Sequence, residues 1–217
     1  MTTYNFANEV GITPTTQTWE LVTNTRMFQS PLTNAIQTQT RKGSYWKTVA
    51  TFDNLTGENR AKMQAFLAKL DGQVHRMYFT DYGYNRSGNA PSGDSVTNLL
   101  VKGAGQTGSV LLADGADLTN TDYFKAGDYV AFNNEFHIVT ANCDTTGIGE
   151  FTYVDHNGVT QSGIPIAPPL RKPTDDNDPI NFTVPLAVMI VTSTASWDTR
   201  PGRVSNFKIE AIEDVLA

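Results

Sequence analysis

Residues 45–81 read YWKTVATFDNLTGENRAKMQAFLAKLDGQVHRMYFTD, and two changes of hydrophobic period within this stretch decide the fold class. In its first part Trp46, Thr48, Ala50 and Phe52 fall on one side of an extended run, opposite Tyr45, Lys47, Val49 and Thr51. That alternation is the period of a strand. Over residues 57–71 the period lengthens, and Met63, Phe66, Leu67 and Leu70 line one face of a helix. Thr56 is placed to cap that helix, Glu58 suits the positive end of its dipole, and Asp71-Gly72 stops it. Residues 75–80 return to alternation, with Met77 and Phe79 opposite Arg76, Tyr78 and Thr80. Strand, helix and strand in this order predict a mainly β protein with one packed α-helix.

Working outward, Ile36, Thr38 and Thr40 alternate with Gln37 and Gln39, and the link Arg41-Lys42-Gly43-Ser44 predicts a hairpin joining that run to the strand at Tyr45. The stretch DYGYNRSGNAPSG, residues 81–93, has loop composition and marks where a different module begins. Short apolar runs then recur at 110–112, 129–132 and 136–139, with Asn133-Asn134 as a tight turn because asparagine tolerates positive φ. IPIAPPLRKPTDDNDP, residues 164–179, contains five prolines and reads as an irregular return connection. Residues 186–192 fit a strand buried on both faces, and residues 204–212 a closing strand with Phe207, Ile209 and Ala211 inward. The expected organisation is a domain of residues 1–93 plus 180–217 and an inserted β module of residues 94–179.

Composition narrows the function classes. The chain has 217 residues, 22 acidic against 16 basic, and a formal net charge of −6 without a basic run, which argues against a phosphate-binding surface. Charged residues make up 18% and threonine contributes 29 positions, so the expected surface is β-rich and neutral polar, and cheap to desolvate. The single cysteine, Cys143, excludes an intrachain disulfide and cysteine-pair metal sites. The opening MTTYNFANEV lacks the basic and apolar regions of a secretory signal, and no apolar run reaches the ~18 residues of a membrane span. The chain is expected to be soluble, unexported and without membrane contact.

Candidate chemistry is sparse. Gly103, Gly105 and Gly108 in VKGAGQTGSV match G-x-G-x-x-G, but the following SVLLADGAD is too short for a crossover helix, so a glycine-rich turn is the better reading than a nucleotide site. Asp175, Asp176 and Asp178 lack the glycine turn and distal glutamate of a calcium loop. His75, His137 and His156 show no i, i+4 pair, and His137 alternates with Phe136 and Ile138 as a strand residue does. Neither a G-x-S-x-G elbow nor a recognisable cysteine dyad is present. Aromatic residues including Trp19, Trp46 and Trp197 could stack on sugars or bases, but Trp46 shares a strand face with Phe52 and reads as core. The expectation is no catalytic residue, no cofactor and no metal.

The order of landmarks supplies a further reading. Residues 45–81 are followed by VKGAGQTGSVLLADG (101–115), FKAGDYVAFNNEFHIVT (124–140), PPLRKP (168–173), Trp197 and FKIEAIE (207–213). This series resembles the distal tail proteins of long, non-contractile-tailed bacteriophages, including related tail-tip minor proteins. The resemblance implies a tail-tube-like β-barrel or sandwich carrying a small β insertion module. It also implies a virion tail location after assembly in the host cytoplasm, and a hexameric ring with the tail tube protein and tail-tip hub or fibre proteins as neighbours. DNA would pass through that ring without sequence-specific binding, which an acidic balance suits, so Glu210, Glu213 and Asp214 are candidate lumen-facing carboxylates. The alternatives are a carbohydrate-binding β module for host attachment, and a cell-wall hydrolase.

Overall fold

The computed structural model describes every residue except 42, 87, 89–98, 117–120, 147–148, 194–195, 203 and 216–217. Much of the expected loop at 81–93, and the expected module boundary at 93/94, lie outside the described residues.

In chain order the elements begin β1 (Thr3–Asn5), α1 (Phe6–Glu9), β2 (Thr16–Val22), β3 (Thr25–Gln29), β4 (Ile36–Thr40), β5 (Tyr45–Leu55), α2 (Gly57–Lys69) and β6 (Arg76–Phe79). Short strands follow: β7 (Leu100–Val101), β8 (Gly108–Leu111), β9 (Ala113–Asp114), β10 (Tyr129–Phe132), β11 (Glu135–Val139), β12 (Cys143–Thr145), β13 (Phe151–Val154), β14 (Thr160–Ser162) and β15 (Ile164–Leu170). The chain ends with β16 (Ala187–Val191), β17 (Trp197–Arg200) and β18 (Val204–Glu213).

The protein is mainly β, as the periodicity predicts. Seven strands form the largest sheet in the order β1-β6-β16-β18-β5-β2, with β17 also paired to β18. Its long central strands β5 and β18 run antiparallel, with Ile209 opposite Ala50 and Ala211 opposite Thr48. Their alternation sends Trp46, Ala50, Phe52, Phe207, Ile209 and Ala211 into one core. Helix α2 closes that core with Met63, Phe66, Leu67 and Leu70, all buried as expected. Each such side chain contributes roughly 1.5–3 kcal/mol on leaving water. Thr56 occupies the N-cap position in an extended conformation, but its hydroxyl makes no cap hydrogen bond. The single-turn α1 adds Phe6, whose ring lies 5.1–5.5 Å from those of Phe52, Phe66 and Phe79.

Strands β6 and β16 are hydrogen-bonded neighbours, Phe79 opposite Ala187, and every strand from β7 to β15 lies between them in the chain. That intervening stretch builds a second core around Tyr123, Phe124, Val130, Phe151, Ile164 and Ile166. Ile180 and Phe182, placed with the first domain in the sequence reading, pack in this second core, so the return crosses later than residue 179. The β10-β11 hairpin serves both cores: Val130, Phe132 and Val139 face the second, while Ala131 and Phe136 reach the first. Its turn residues Asn133 and Asn134 have φ of 47° and 60°, the double left-handed geometry expected of them. Among the described residues the sheets are open, so the fold is sandwich-like and not a closed barrel.

Two local expectations are overturned. β4 pairs with β3, Phe28 opposite Gln37, and β5 pairs instead with β2 and β18. The hairpin turn is therefore at Ser30 to Ala35, where Ser30 and Ala35 are bonded by Ser30 N–H to Ala35 O at 2.9 Å, and not at the glycine of 41–44. The proline-rich stretch is also not irregular throughout: β15 sits between β11 and β8. Prolines are tolerated there because they still accept. Pro165 O takes Thr140 N–H at 2.9 Å, and Pro168 O faces His137 Nδ1 at 2.9 Å, while the ladder to β11 uses the non-proline Ile166 and Ala167 opposite Val139 and Ile138.

Gly163 precedes β15 with φ of 107°, and a Cβ there would meet Val110 Cγ1 at 2.6 Å and Leu111 O at 2.9 Å. Gly163→Ala should therefore lower stability by roughly 1–3 kcal/mol in urea denaturation. An unchanged midpoint would contradict this packing.

Candidate functional site

The β3-β4 pair leaves the body as a separate two-stranded ribbon. Every described side chain of both strands is exposed, including Met27 at 65%, Phe28 at 55% and Ile36 at 58%, and Leu32 at the apex is 94% exposed. Antiparallel register puts Met27 and Ile36 on one face and Phe28 on the other. The apex is ordered by its own hydrogen bonds, Asn34 N–H to Ser30 O at 2.9 Å and Thr33 N–H to Ser30 Oγ at 3.3 Å. An isolated hairpin is marginal in water. Met27, Phe28, Leu32 and Ile36 are thus large apolar side chains left in water, and they make the ribbon a candidate contact surface.

The ribbon's root closes through Arg41 N–H to Asn24 O at 2.8 Å, and leads through Ser44 into β5. Among the described residues, the most buried ion pairs lie here. Arg171, just after β15, makes a forked pair with Glu213 at the end of β18: Nη1 to Oε2 and Nη2 to Oε1 are both 2.6 Å. The two side chains are 4% and 0% exposed. Glu213 also accepts Trp46 N–H at 3.0 Å and Phe136 N–H at 3.1 Å. Arg171 Nη1 reaches the ribbon root by donating to Ser44 O at 3.0 Å. One guanidinium thus ties together the second core, the large sheet and the base of the exposed ribbon.

Glu135, at the start of β11, completes the network by accepting Arg171 N–H at 3.2 Å and Lys172 N–H at 3.0 Å. Its Oε2 lies 3.6 Å from Arg171 Nε, near enough for charge pairing, and 3.2 Å from His137 Nε2, though neither nitrogen is aligned for a hydrogen bond. Burial alone would raise the Glu135 carboxyl, but the His137 contact, the Arg171 charge and the Arg171 N–H outweigh it and hold it below the usual carboxylate range. For Arg171 burial opposes the charge, and the fork to Glu213 together with the Glu135 charge more than restores it. A cavity of about 150 Å³ opens beside the network, lined by Arg41, Gly43, Gly108, Pro169 and Leu170.

The three candidate lumen carboxylates separate. Glu213 is buried in the clamp and cannot face a channel in this conformation, because strand alternation sends it inward with Phe207, Ile209 and Ala211. Asp214 is mostly buried, bonded to Arg76 Nε at 2.5 Å. Glu210 is on the outer face, where Lys208 at 2.6 Å, helped by Lys47, lowers its carboxyl and offsets its charge. The structure thus keeps one of the three available to solvent.

The remaining sequence candidates take structural positions. Gly103, Gly105 and Gly108 all have positive φ, and their loop joins β7 to β8 with no helix following. Gly103 N–H donates to Asp176 Oδ1 at 2.8 Å and Gly105 N–H to Thr174 O at 2.7 Å, so these amides serve the loop 174–176. Trp46 is core, its indole N–H donating to Phe136 O at 2.8 Å, and Trp19 stacks on Phe136 at 5.3 Å. Trp197 is 41% exposed. His137 is buried in β11 as a strand residue, His75 accepts Thr2 N–H at 3.2 Å, and His156 lies in an exposed turn. Cys143 is buried, which with neighbouring Asp144 and Asp128 pushes its thiol up to about 12. Among the described residues no group of three or more histidine, cysteine or acidic side chains is placed to hold a metal, and no helix is long and apolar enough to cross a membrane.

Sequence reasoning missed the ribbon and the clamp. The available signal was TNTRMFQSPLTNAIQTQT, residues 23–40, where Met27, Phe28, Leu32 and Ile36 interrupt an otherwise polar segment. No protein-family model and no curated protein sequence matches the chain.

Arg171→Met should destabilise the protein by roughly 3–5 kcal/mol, because it leaves Glu213 charged and buried. Arg171→Met with Glu213→Met should recover most of that loss, since neither desolvated charge remains. Denaturation curves of the three proteins check this, and equal losses in single and double variants would contradict it. The depressed Glu135 carboxyl makes a stabilising contribution that is present above its unfolded-state value and lost as pH falls through the folded one. Melting temperature should therefore drop on acidification below about pH 4.5, and Glu135→Gln should flatten that dependence.

Proposed function

We propose that the chain is a structural component of a bacteriophage tail tip, a distal tail ring subunit that joins the tail tube to hub or fibre proteins and leaves a channel for DNA. The observation that carries this reading is the ribbon, whose apolar side chains stand clear of both cores above a root closed by Arg41 N–H to Asn24 O. A knob of this kind on each copy suits heterologous contacts, which close into rings when the rotation permits. The ordered landmarks of the sequence, and a mainly β architecture with one long packed helix, support the same reading. On it the two-module organisation has a role: the large sheet supplies the ring, and the strands between β6 and β16 present a second surface to neighbours. Glu210 and Glu20 share the outer face of the large sheet with Lys208 and Lys47, so two carboxylates balance two ammonium groups there. Such a face would let DNA slide, since it offers phosphates no excess of cations.

The ring assignment predicts a closed oligomer, six copies on the family resemblance, in mass measurements at rising protein concentration. Met27→Asp with Phe28→Asp should shift it toward monomer while leaving the melting temperature unchanged, because both residues are exposed in the single chain. A chain that stays monomeric throughout and is retained on a glycan column through Trp197 would favour the carbohydrate-binding alternative instead.

A further inference from the structure

The ribbon's apex and the cavity at its root are complementary in kind. Leu32 is an aliphatic side chain with almost all of its surface in water, held outward by an ordered turn. The cavity, about 150 Å³, is lined by Gly43, Gly108, Pro169 and Leu170 together with Arg41, Ser44 and Arg171, and its volume is that of a cavity that takes one benzene-sized guest. Five paired residues at ~3.4 Å each separate the two features by roughly 17 Å along one ribbon. A chain cannot fold its own apex back into its own root without dissolving the pairing of β3 and β4.

We infer that Leu32 of one copy seats in the root cavity of the next copy, beside the Arg171–Glu213 clamp. This rests on the assembly reading above and names its contact. The occupant is a second copy because the chain itself carries a knob that matches the cavity and cannot reach it internally. The exposed residues from Thr25 to Gln39 include one charged side chain, Arg26, so inserting the apex desolvates few charges. Knob and cavity lie on different surface patches, so copies can pass knob to cavity head-to-tail around a ring, each seated copy offering its cavity to the next. The cavity's far wall comes from β15 and its near wall from the ribbon root, and the clamp holds those two walls together through Arg171 and Ser44 O. An intact clamp is thus a condition of a receptive cavity.

Cross-linking tests this directly, because the sole native thiol is buried and unreactive. Leu32→Cys and Pro169→Cys chains are prepared separately, mixed and gently oxidised, with Arg41→Cys as a second cavity-side probe should Pro169→Cys misfold. The expected product is a disulfide joining one chain of each kind, in excess of either like-with-like pair. Leu32→Asp should in addition weaken self-association roughly tenfold or more, the scale of one buried leucine. An oligomer that forms without the mixed cross-link at either cavity site overturns the seat and leaves the assembly reading standing. Absence of both oligomer and cross-link overturns the two together.

Discussion

The forked ion pair between Arg171 and Glu213 is the constraint on which the rest of the molecule depends. Both groups are out of water, so neither tolerates loss of the other. Both also bond atoms from distant parts of the chain, Glu213 accepting from Trp46 N–H and Phe136 N–H and Arg171 donating to Ser44 O. The large sheet, the shared β10-β11 hairpin and the ribbon root are therefore fixed relative to one another by a single site. Hydrophobic burial supplies most of the driving force, but it is non-directional. The clamp supplies the alignment that two apolar cores in contact would leave loose.

This arrangement explains how an exposed ribbon is maintained. Two strands with no covering layer have little stability of their own. Here the ribbon begins from a root bonded to Asn24 and to the guanidinium, and it ends in a turn with its own hydrogen bonds. It can then present Met27, Phe28, Leu32 and Ile36 without collapsing onto the body. A preorganised element of this kind loses less entropy on association than a flexible arm. That is the property the proposed ring subunit requires.

The core was legible in the sequence wherever one face of an element is buried. Period alone places Met63, Phe66, Leu67 and Leu70 of the helix, and Phe207, Ile209 and Ala211 of the last strand, in agreement with the structure. The same phase carried two residues further would have buried Glu213, a charged residue whose buried partner lies 42 positions away. The partner of β4 was misread as β5 because alternation says nothing about which strand is the partner, and β3, TRMFQ, is exposed throughout and has no apolar alternation to reveal it. β15 was hidden by its prolines, which remove donors but leave the acceptors that β11 and the following Thr140 use. The clamp depends on distant residues and the ribbon on exposure, and neither leaves a local period to read.

Hydrogen exchange across a concentration series tests the central claim, that the ribbon rooted on the clamp is the assembly element. The account predicts that amides of residues 25–40 gain protection as concentration rises, while those of the β5-β18 core stay equally slow throughout. Ribbon amides whose exchange is independent of concentration, in a protein that nevertheless self-associates, would contradict it.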